Sequence, residues 1–201
     1  ATTLAGVEDI LADELKRRGA RDGEKGRRAV TFQGDLGFVY KVNFRSRFAL
    51  RVLKPIKTFV AIDEDAYYAR IKALAWENIL SPSQTFAIRS VVNSQTFRHS
   101  NFMALKAKDA IVDRIREKTG ERPNVDKENP DIPIHIRIDR ELVTISLDST
   151  GESLHLRGYR QLTGQAPLNE VLAAGIVELS GWDPTTPFYD AMCGSGTLSM
   201  E

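Results

Sequence analysis

Isoleucine occupies every second position from Ile132 to Ile138, with Pro133, His135 and Arg137 between them. Strand side chains alternate between two faces, so this pattern predicts a strand with one buried and one wet face. Leu142–Leu147 follows after the polar join Asp139–Arg140–Glu141, making the two a hairpin. A sheet of this kind needs helices over its apolar face. From 102 to 118, Ala104, Ala107, Ile111 and Ile115 share a side at helical spacing, flanked by Met103 and Val112, with Asn101 as the expected cap and Gly120 as the stop. Lys106, Asp109, Asp113, Arg116 and Glu117 fall opposite and read as a solvated, partly self-paired face. Lys108 sits at the margin of the apolar stripe, where a lysine either lays its stem on the core or waits for a phosphate.

The same reading extends upstream. Asp63 is placed to cap a helix through Tyr67, Ile71 and Leu74, followed by a helical turn from Trp76 to Leu80 and a strand from Thr85 to Val92. Nearer the start, Val7, Ile10, Leu11 and Leu15 predict a helix stopped by Gly19, and Ala29–Phe32 a short strand. Asp35 would cap a helix in which Leu36, Val39, Tyr40 and Phe44 share a side. Ala49–Phe59 would be a strand bent or placed at an edge by Pro55. Helices alternating with short strands predict two successive α+β units.

The 201 residues carry a formal charge of +1, but the charge is uneven. Residues 1–122 hold 23 Lys and Arg against 15 Asp and Glu, whereas residues 123–201 hold 5 against 12. A basic first part suits a polyanionic partner, although solvated helix faces give the same counts. No apolar run is long enough to predict a membrane span. The single cysteine excludes an intramolecular disulfide and a Cys-rich zinc site, and a reducing, cytoplasmic setting is expected. His99, His135 and His155 lack ligand spacing, so no metal is expected.

The sharpest local signal is the run from Pro187 to Glu201, PFYDAMCGSGTLSME. It predicts a strand ending at Asp190, a tight turn, and the start of a helix, the arrangement by which backbone approaches an adenosine-containing cofactor. Gly194 and Gly196 would keep side chains out of the ligand's way. A Walker loop is excluded because no Gly-Lys-Ser/Thr follows, and Ser199 stands where a dinucleotide fingerprint needs its third glycine. A plain strand-to-helix turn accounts for the six residues equally well. Cys193 has no identifiable base partner for a catalytic thiol.

The run FYDAMCGSGTLSME resembles the first cofactor motif of RNA methyltransferases related to the bacterial 23S rRNA guanine-N2 methyltransferase. HLRGYRQLTGQAPLNEVLAAGIVELSGW is similar to their linker and preceding helix, FRHSNFMALKAKDAIVDRIREKTGERPNVD to the centre of their THUMP domain, and TTLAGVEDILADELKRRGA to their N-terminal ferredoxin-like domain. The resemblance implies an α+β chain with a ferredoxin-like domain over 1–60, a THUMP RNA-binding domain over 61–150 and a linker over 151–164. Residues 165–201 would hold the first strand and helices of a truncated Rossmann-like methyltransferase domain. It implies S-adenosylmethionine as cofactor, with Asp190, Cys193, Gly194, Ser195 and Gly196 in its loop and Pro167, Leu168 and Asn169 near its methionine end. The catalytic motif and the ribose-binding acid would lie beyond Glu201, leaving this portion inactive by itself.

The implied partner is structured RNA, rRNA in particular. Candidate contacts are Arg89, Arg98, His99, Lys106, Lys108, Arg114, Arg116 and Lys118, with Arg157 and Arg160 in the linker. Phe97 either stacks on an unpaired base or anchors its loop in the core. Arg157 and Arg160 either grip phosphate or pair with local acids. A non-catalytic THUMP-type RNA-binding module is the alternative to an enzyme fragment.

Overall fold

A computed structural model describes residues 1–159 and 167–201. Two compact units divide the chain: Ala1–Val52 with Ser149–Glu201, and Leu53–Asp148.

The first unit begins with Thr2, which bridges antiparallel to both Ala29 and Arg51. Helix α1 (Glu8–Arg18) follows and ends on Gly19, whose φ of 108° supplies the left-handed residue that closes many helices. Strands β1 (Arg21–Gly26) and β2 (Ala29–Gln33) form a hairpin, and α2 (Leu36–Arg45) starts where the Asp35 carboxylate accepts the Phe38 N–H at 2.7 Å. With the bridged residues Thr2 and Arg51 as short outer members, the order is β-α-β-β-α-β, the ferredoxin-like arrangement. Leu11, Leu15, Val30, Val42 and Phe48 fill its core. Strand β1 escapes the hydrophobic pattern because RDGEKG is exposed along its whole length.

Helix α2 turns inward a side other than the one its sequence marks as apolar. Phe38 and Val42 are buried, while Leu36, Tyr40 and Phe44 are 65%, 68% and 87% exposed. Leu36, Val39, Tyr40 and Phe44 do share a side, but Phe38 and Val42 form a second apolar stripe, and that one meets Phe32 and the core.

Glu14 ties α1 to the segment after α2. Its buried carboxylate accepts from Arg18 Nη2 at 2.8 Å, Ser46 Oγ at 2.6 Å and the Arg47 N–H at 3.0 Å. A buried charge is tolerable only with such donors.

The second unit is a five-stranded sheet ordered β3-β7-β6-β4-β5. Its members are β3 (Leu53–Val60), β4 (Thr85–Asn93), β5 (Asn124–Val125), β6 (Ile132–Asp139) and β7 (Leu142–Asp148). The β6–β7 hairpin turns at Arg140, with φ 57°, and β4 runs parallel to β6. Strand β3, expected inside the first domain, pairs with β7 instead and belongs to this unit. It lies at the sheet edge, and its register slips between Pro55 and Lys57, where proline has no N–H to give.

Helix α3 (Glu64–Lys72), a 3-10 turn (Trp76–Asn78) and helix α4 (Ser100–Thr119) supply the other layer of this core. Ile134, Ile136 and Ile138 are all fully buried, as their alternation predicts. Asp63 caps α3 through the Ala66 N–H at 2.7 Å. Helix α4 starts at Ser100, one residue before the expected cap Asn101, with His99 at the N-cap position making no side-chain cap bond.

Candidate functional site: an exposed glycine turn and a set of unpaired cations

Two groups of residues carry chemistry, one in each unit. In the first unit, Asn169 accepts the Leu172 N–H at 3.2 Å and so starts α5 (Glu170–Ser180). Val171, Ala173, Ala174 and Gly175 are buried, and a Cβ on Gly175 would stand 3.3 Å from Val7 Cγ2 at the start of α1. This helix therefore packs on α1, aided by Arg17 and Glu178 at 3.5 Å. Pro167 is exposed, Leu168 is half-buried, and α5 lies beside the short α6 (Thr197–Met200).

Between those helices lies the predicted cofactor loop. The expected strand before Asp190 is not formed: Pro187–Asp190 joins no ladder among the described residues. A strand exists only through its partners. The turn itself is ordered by its own atoms. Asp190 Oδ1 accepts the Met192 N–H at 3.1 Å, and the Gly196 N–H donates to the Cys193 carbonyl at 2.7 Å. Ser195 Oγ lies 3.2 Å from Thr197 Oγ1. Gly194 and Gly196 have φ of 53° and 74°, so backbone conformation requires glycine there. Nothing lies within 4 Å of a Cβ built on Gly196, leaving open space beside the turn. Residues 191–195, Cys193 among them, are exposed, and Asp190 and Gly196 are half-buried.

Arg157 is a correction. Its Nε lies 3.0 Å from Glu201 Oε1, its Nη2 donates to the Arg47 carbonyl at 2.7 Å, and Tyr159 Oη reaches the same Glu201 oxygen at 3.0 Å. Arg47 also donates to the Glu201 carbonyl. Arg157 is thus engaged by an acid and is withdrawn as a phosphate contact. Arg160 lies outside the described residues.

In the second unit the eight cationic candidates separate sharply. Lys106 lies 3.2 Å from Glu64 and 3.3 Å from Asp65, Lys108 2.5 Å from Asp109, and Arg116 3.1 Å from Asp113. Arg114 holds Glu77 with two hydrogen bonds, at 3.0 and 2.6 Å. That guanidinium lowers the Glu77 carboxyl to a pKa of about 2, and the pairing raises that of Arg114 in turn. The supposedly solvated side of α4 is largely a polar seam with α3. Tyr68 donates to Asp113 at 2.5 Å, which pushes its phenol up to about 12, and Lys72 meets Glu117 at 2.6 Å.

Arg89, Arg98 and His99 remain without an acidic partner among the described residues, whereas the charge of Lys118 acts on Glu77 beside that of Arg114. All four are exposed. Arg98 makes only a 3.5 Å contact to the Gln95 carbonyl. Phe97 is 1% exposed, its ring 5.9 Å from that of Tyr67, so it is a loop anchor with no face for a base. The sequence reading passed over Lys54 and Lys57, exposed on edge strand β3 and also free of acids among the described residues. Their signal was the lysine pair flanking Pro55–Ile56, which equally serves to block edge pairing.

Among the described residues, no cluster of His, Cys, Asp and Glu is arranged to hold a metal, and no helix is long and apolar enough to cross a membrane.

Three family models match the chain in order. An RlmL ferredoxin-like domain matches residues 1–53, a THUMP domain 61–148, and an RMKL-like methyltransferase domain 157–201. The chain is thus similar, part by part and in order, to THUMP-containing methyltransferases. Solved structures of similar proteins agree. A "predicted N6-adenine-specific DNA methylase" from Listeria monocytogenes is 33% identical, with a TM-score of 0.86 over 100% of this chain and 52% of its own. A "possible methylase" from Clostridium difficile is 29% identical, with a TM-score of 0.86 over 100% of this chain and 53% of its own. A "putative methyltransferase complexed with SAH" is 30% identical, with a TM-score of 0.83 over 98% of this chain and 52% of its own. The chain thus spans about half the length of these relatives. The glycine turn falls within the methyltransferase match, and the exposed Arg89, Arg98, His99 and Lys118 fall within the THUMP match.

Proposed function

We propose that this chain is the RNA-docking portion of an S-adenosylmethionine-dependent methyltransferase whose target is a guanine exocyclic nitrogen in 23S rRNA. The observation that carries the reading is the ordered succession of a ferredoxin-like domain, a THUMP domain and the opening of a methyltransferase domain. A relative complexed with SAH, the demethylated form of that donor, supports the cofactor.

Within this chain, Asp190 and the backbone of Cys193, Gly194, Ser195 and Gly196 would hold the donor, with Pro167, Leu168 and Asn169 beside it. The bound donor supplies a methyl group activated on a sulfonium. Arg89, Arg98, His99 and Lys118 would meet RNA phosphates, which position a substrate without reading its bases. The Listeria relative is described as acting on adenine in DNA. The THUMP domain, a module associated with RNA, favours RNA here.

Mass mapping of rRNA from cells lacking the parent gene tests this directly. One N2-methylguanine should disappear from 23S rRNA and return when the purified full-length protein and S-adenosylmethionine are added. Unchanged rRNA alongside salt-sensitive RNA binding would favour a non-catalytic module. Methylation of DNA adenine would reject the RNA reading.

A further inference from the structure

Helix α2 has apolar side chains on two sides, and only one of them reaches the core. Leu36, Tyr40 and Phe44 recur at four-residue intervals and stand in solvent on the first unit. Side chains at this spacing form one ridge, with successive members about 6 Å apart along the axis. A contiguous exposed apolar stripe rimmed by polar groups marks an interaction site more often than a lone exposed residue does.

The rim decides what kind of partner fits. Next around the helix from the ridge come Lys41 and Arg45. Lys41 donates to the Arg18 carbonyl at 2.6 Å, and the Arg45 guanidinium meets no acid among the described residues. Aromatic rings bordered by unneutralised cations match the two faces of an unpaired nucleic-acid strand, bases on the rings and phosphates on the cations.

We propose that the Tyr40–Phe44 ridge of α2 is a stacking platform for unpaired bases of the substrate RNA, with Lys41 and Arg45 as its phosphate contacts. The platform belongs to the ferredoxin-like domain and lies outside the THUMP match. It rests on the RNA-docking reading given above and adds to it a single-stranded element of the substrate.

The experiment uses the full-length protein, with single-stranded oligo(A) RNA, the same strand in an RNA duplex, and 23S rRNA as probes. Joint replacement Tyr40→Ala and Phe44→Ala should weaken oligo(A) binding by about 10- to 100-fold, since a base–ring stack contributes a factor of about 5 to 150. Duplex affinity and the salt slope should stay put, because no phosphate contact is removed. Phe44→Tyr should bind as the parent does, whereas Phe44→Leu, apolar but not flat, should be as weak as Phe44→Ala. A Phe44→Trp reporter should emit as an exposed indole and be quenched by oligo(A). Retained binding in Phe44→Leu would indicate a protein-docking ridge and overturn the proposal, as would unchanged oligo(A) affinity in the double variant. A buried emission from the reporter in the free protein would show the ridge covered by another part of the molecule and overturn it as well. Normal 23S rRNA binding with an indifferent ridge defeats this inference alone. Absence of salt-sensitive binding to every RNA defeats the docking reading beneath it.

Discussion

Helices α2 and α4 are both amphipathic, yet they treat their apolar residues differently. Helix α4 buries Met103, Ala107, Ala110, Ile111, Val112 and Ile115 as one stripe, and its charged side is taken up by Glu64, Asp65, Glu77 and the neighbouring α3. Helix α2 buries Phe38 and Val42 and leaves three larger apolar side chains wet. In α4, most of what looks functional is structural: Lys106 and Arg114 serve the seam, and Lys108 and Arg116 pair within the helix. In α2, part of what looks structural is free to function. A buried stripe is fixed by what packs on it, and a helix with two apolar stripes must leave one of them to solvent or to a partner.

The largest expected effect tests α4. Ile111→Ala removes a fully buried side chain from the core of the second unit and should cost about 2–5 kcal/mol, read as a fall in the urea midpoint. A loss below about 1 kcal/mol would mean that the stripe is not the tightly packed side that sets it apart from α2. The corresponding test in the first unit is Glu14→Ala, which strips Arg18, Ser46 and the Arg47 N–H of a shared buried acceptor. About 3 kcal/mol is expected from breaking such a site. If Glu14→Ala melts like the parent protein, the three donors are satisfied by water and the clamp is not needed.

These particulars also mark what was legible beforehand. The isoleucine alternation of β6, the Asp35 and Asp63 caps and the Gly19 and Gly120 stops were all readable, because each is a local rule the tertiary fold had no reason to override. Strand β1 and the bridge at Thr2 were not. An exposed hairpin arm and a one-residue bridge carry no hydrophobic period. The side of α2 that turns inward was also hidden, since Phe38 and Val42 fit a core as well as Leu36 and Tyr40 do. At the candidate site the glycine turn was visible as a motif. Which cations were free was not, because Glu64, Asp65 and Glu77 lie 37 to 42 positions from the α4 residues they neutralise and only the folded chain brings them together.

Pairing of cations gives the next comparison a measurable form. Replacing Arg89 and Arg98 with alanine in the full-length protein should weaken rRNA binding and lower the salt slope by about 1 to 2, since each lost phosphate contact removes about 0.7–0.9. Replacing Lys106 and Arg114 should leave the slope alone and lower stability instead. A reversed result would put the seam on the RNA and the strand arginine off it.

The seam should also respond to acid. Glu77 is held at about 2 by its hydrogen bonds to Arg114, against an ordinary 4.5. A carboxyl depressed by folding stabilises the native state fully above its ordinary value, and that contribution fades as pH falls from about 4.5 toward 2. The pair is partly open to solvent, so salt should blunt the effect. Glu77→Gln should flatten the urea midpoint across that window, and an unaltered acid slope would show that Arg114 holds no ionised partner.

The smallest effect is expected where α2 differs most from α4. Phe44→Ala removes a large ring, which in α4 would open a cavity, but here the ring is 87% exposed and has no cavity to leave. Its stability change should fall within about 0.5 kcal/mol, the range of surface replacements. The unfolded chain exposes the same ring, so its hydration nearly cancels between the two states. Alanine's better helix propensity pushes slightly toward a gain. A loss comparable to that of Ile111→Ala would mean that Phe44 is packed in the working protein, and the contrast between the two helices would then vanish at the residue on which it is most sharply drawn.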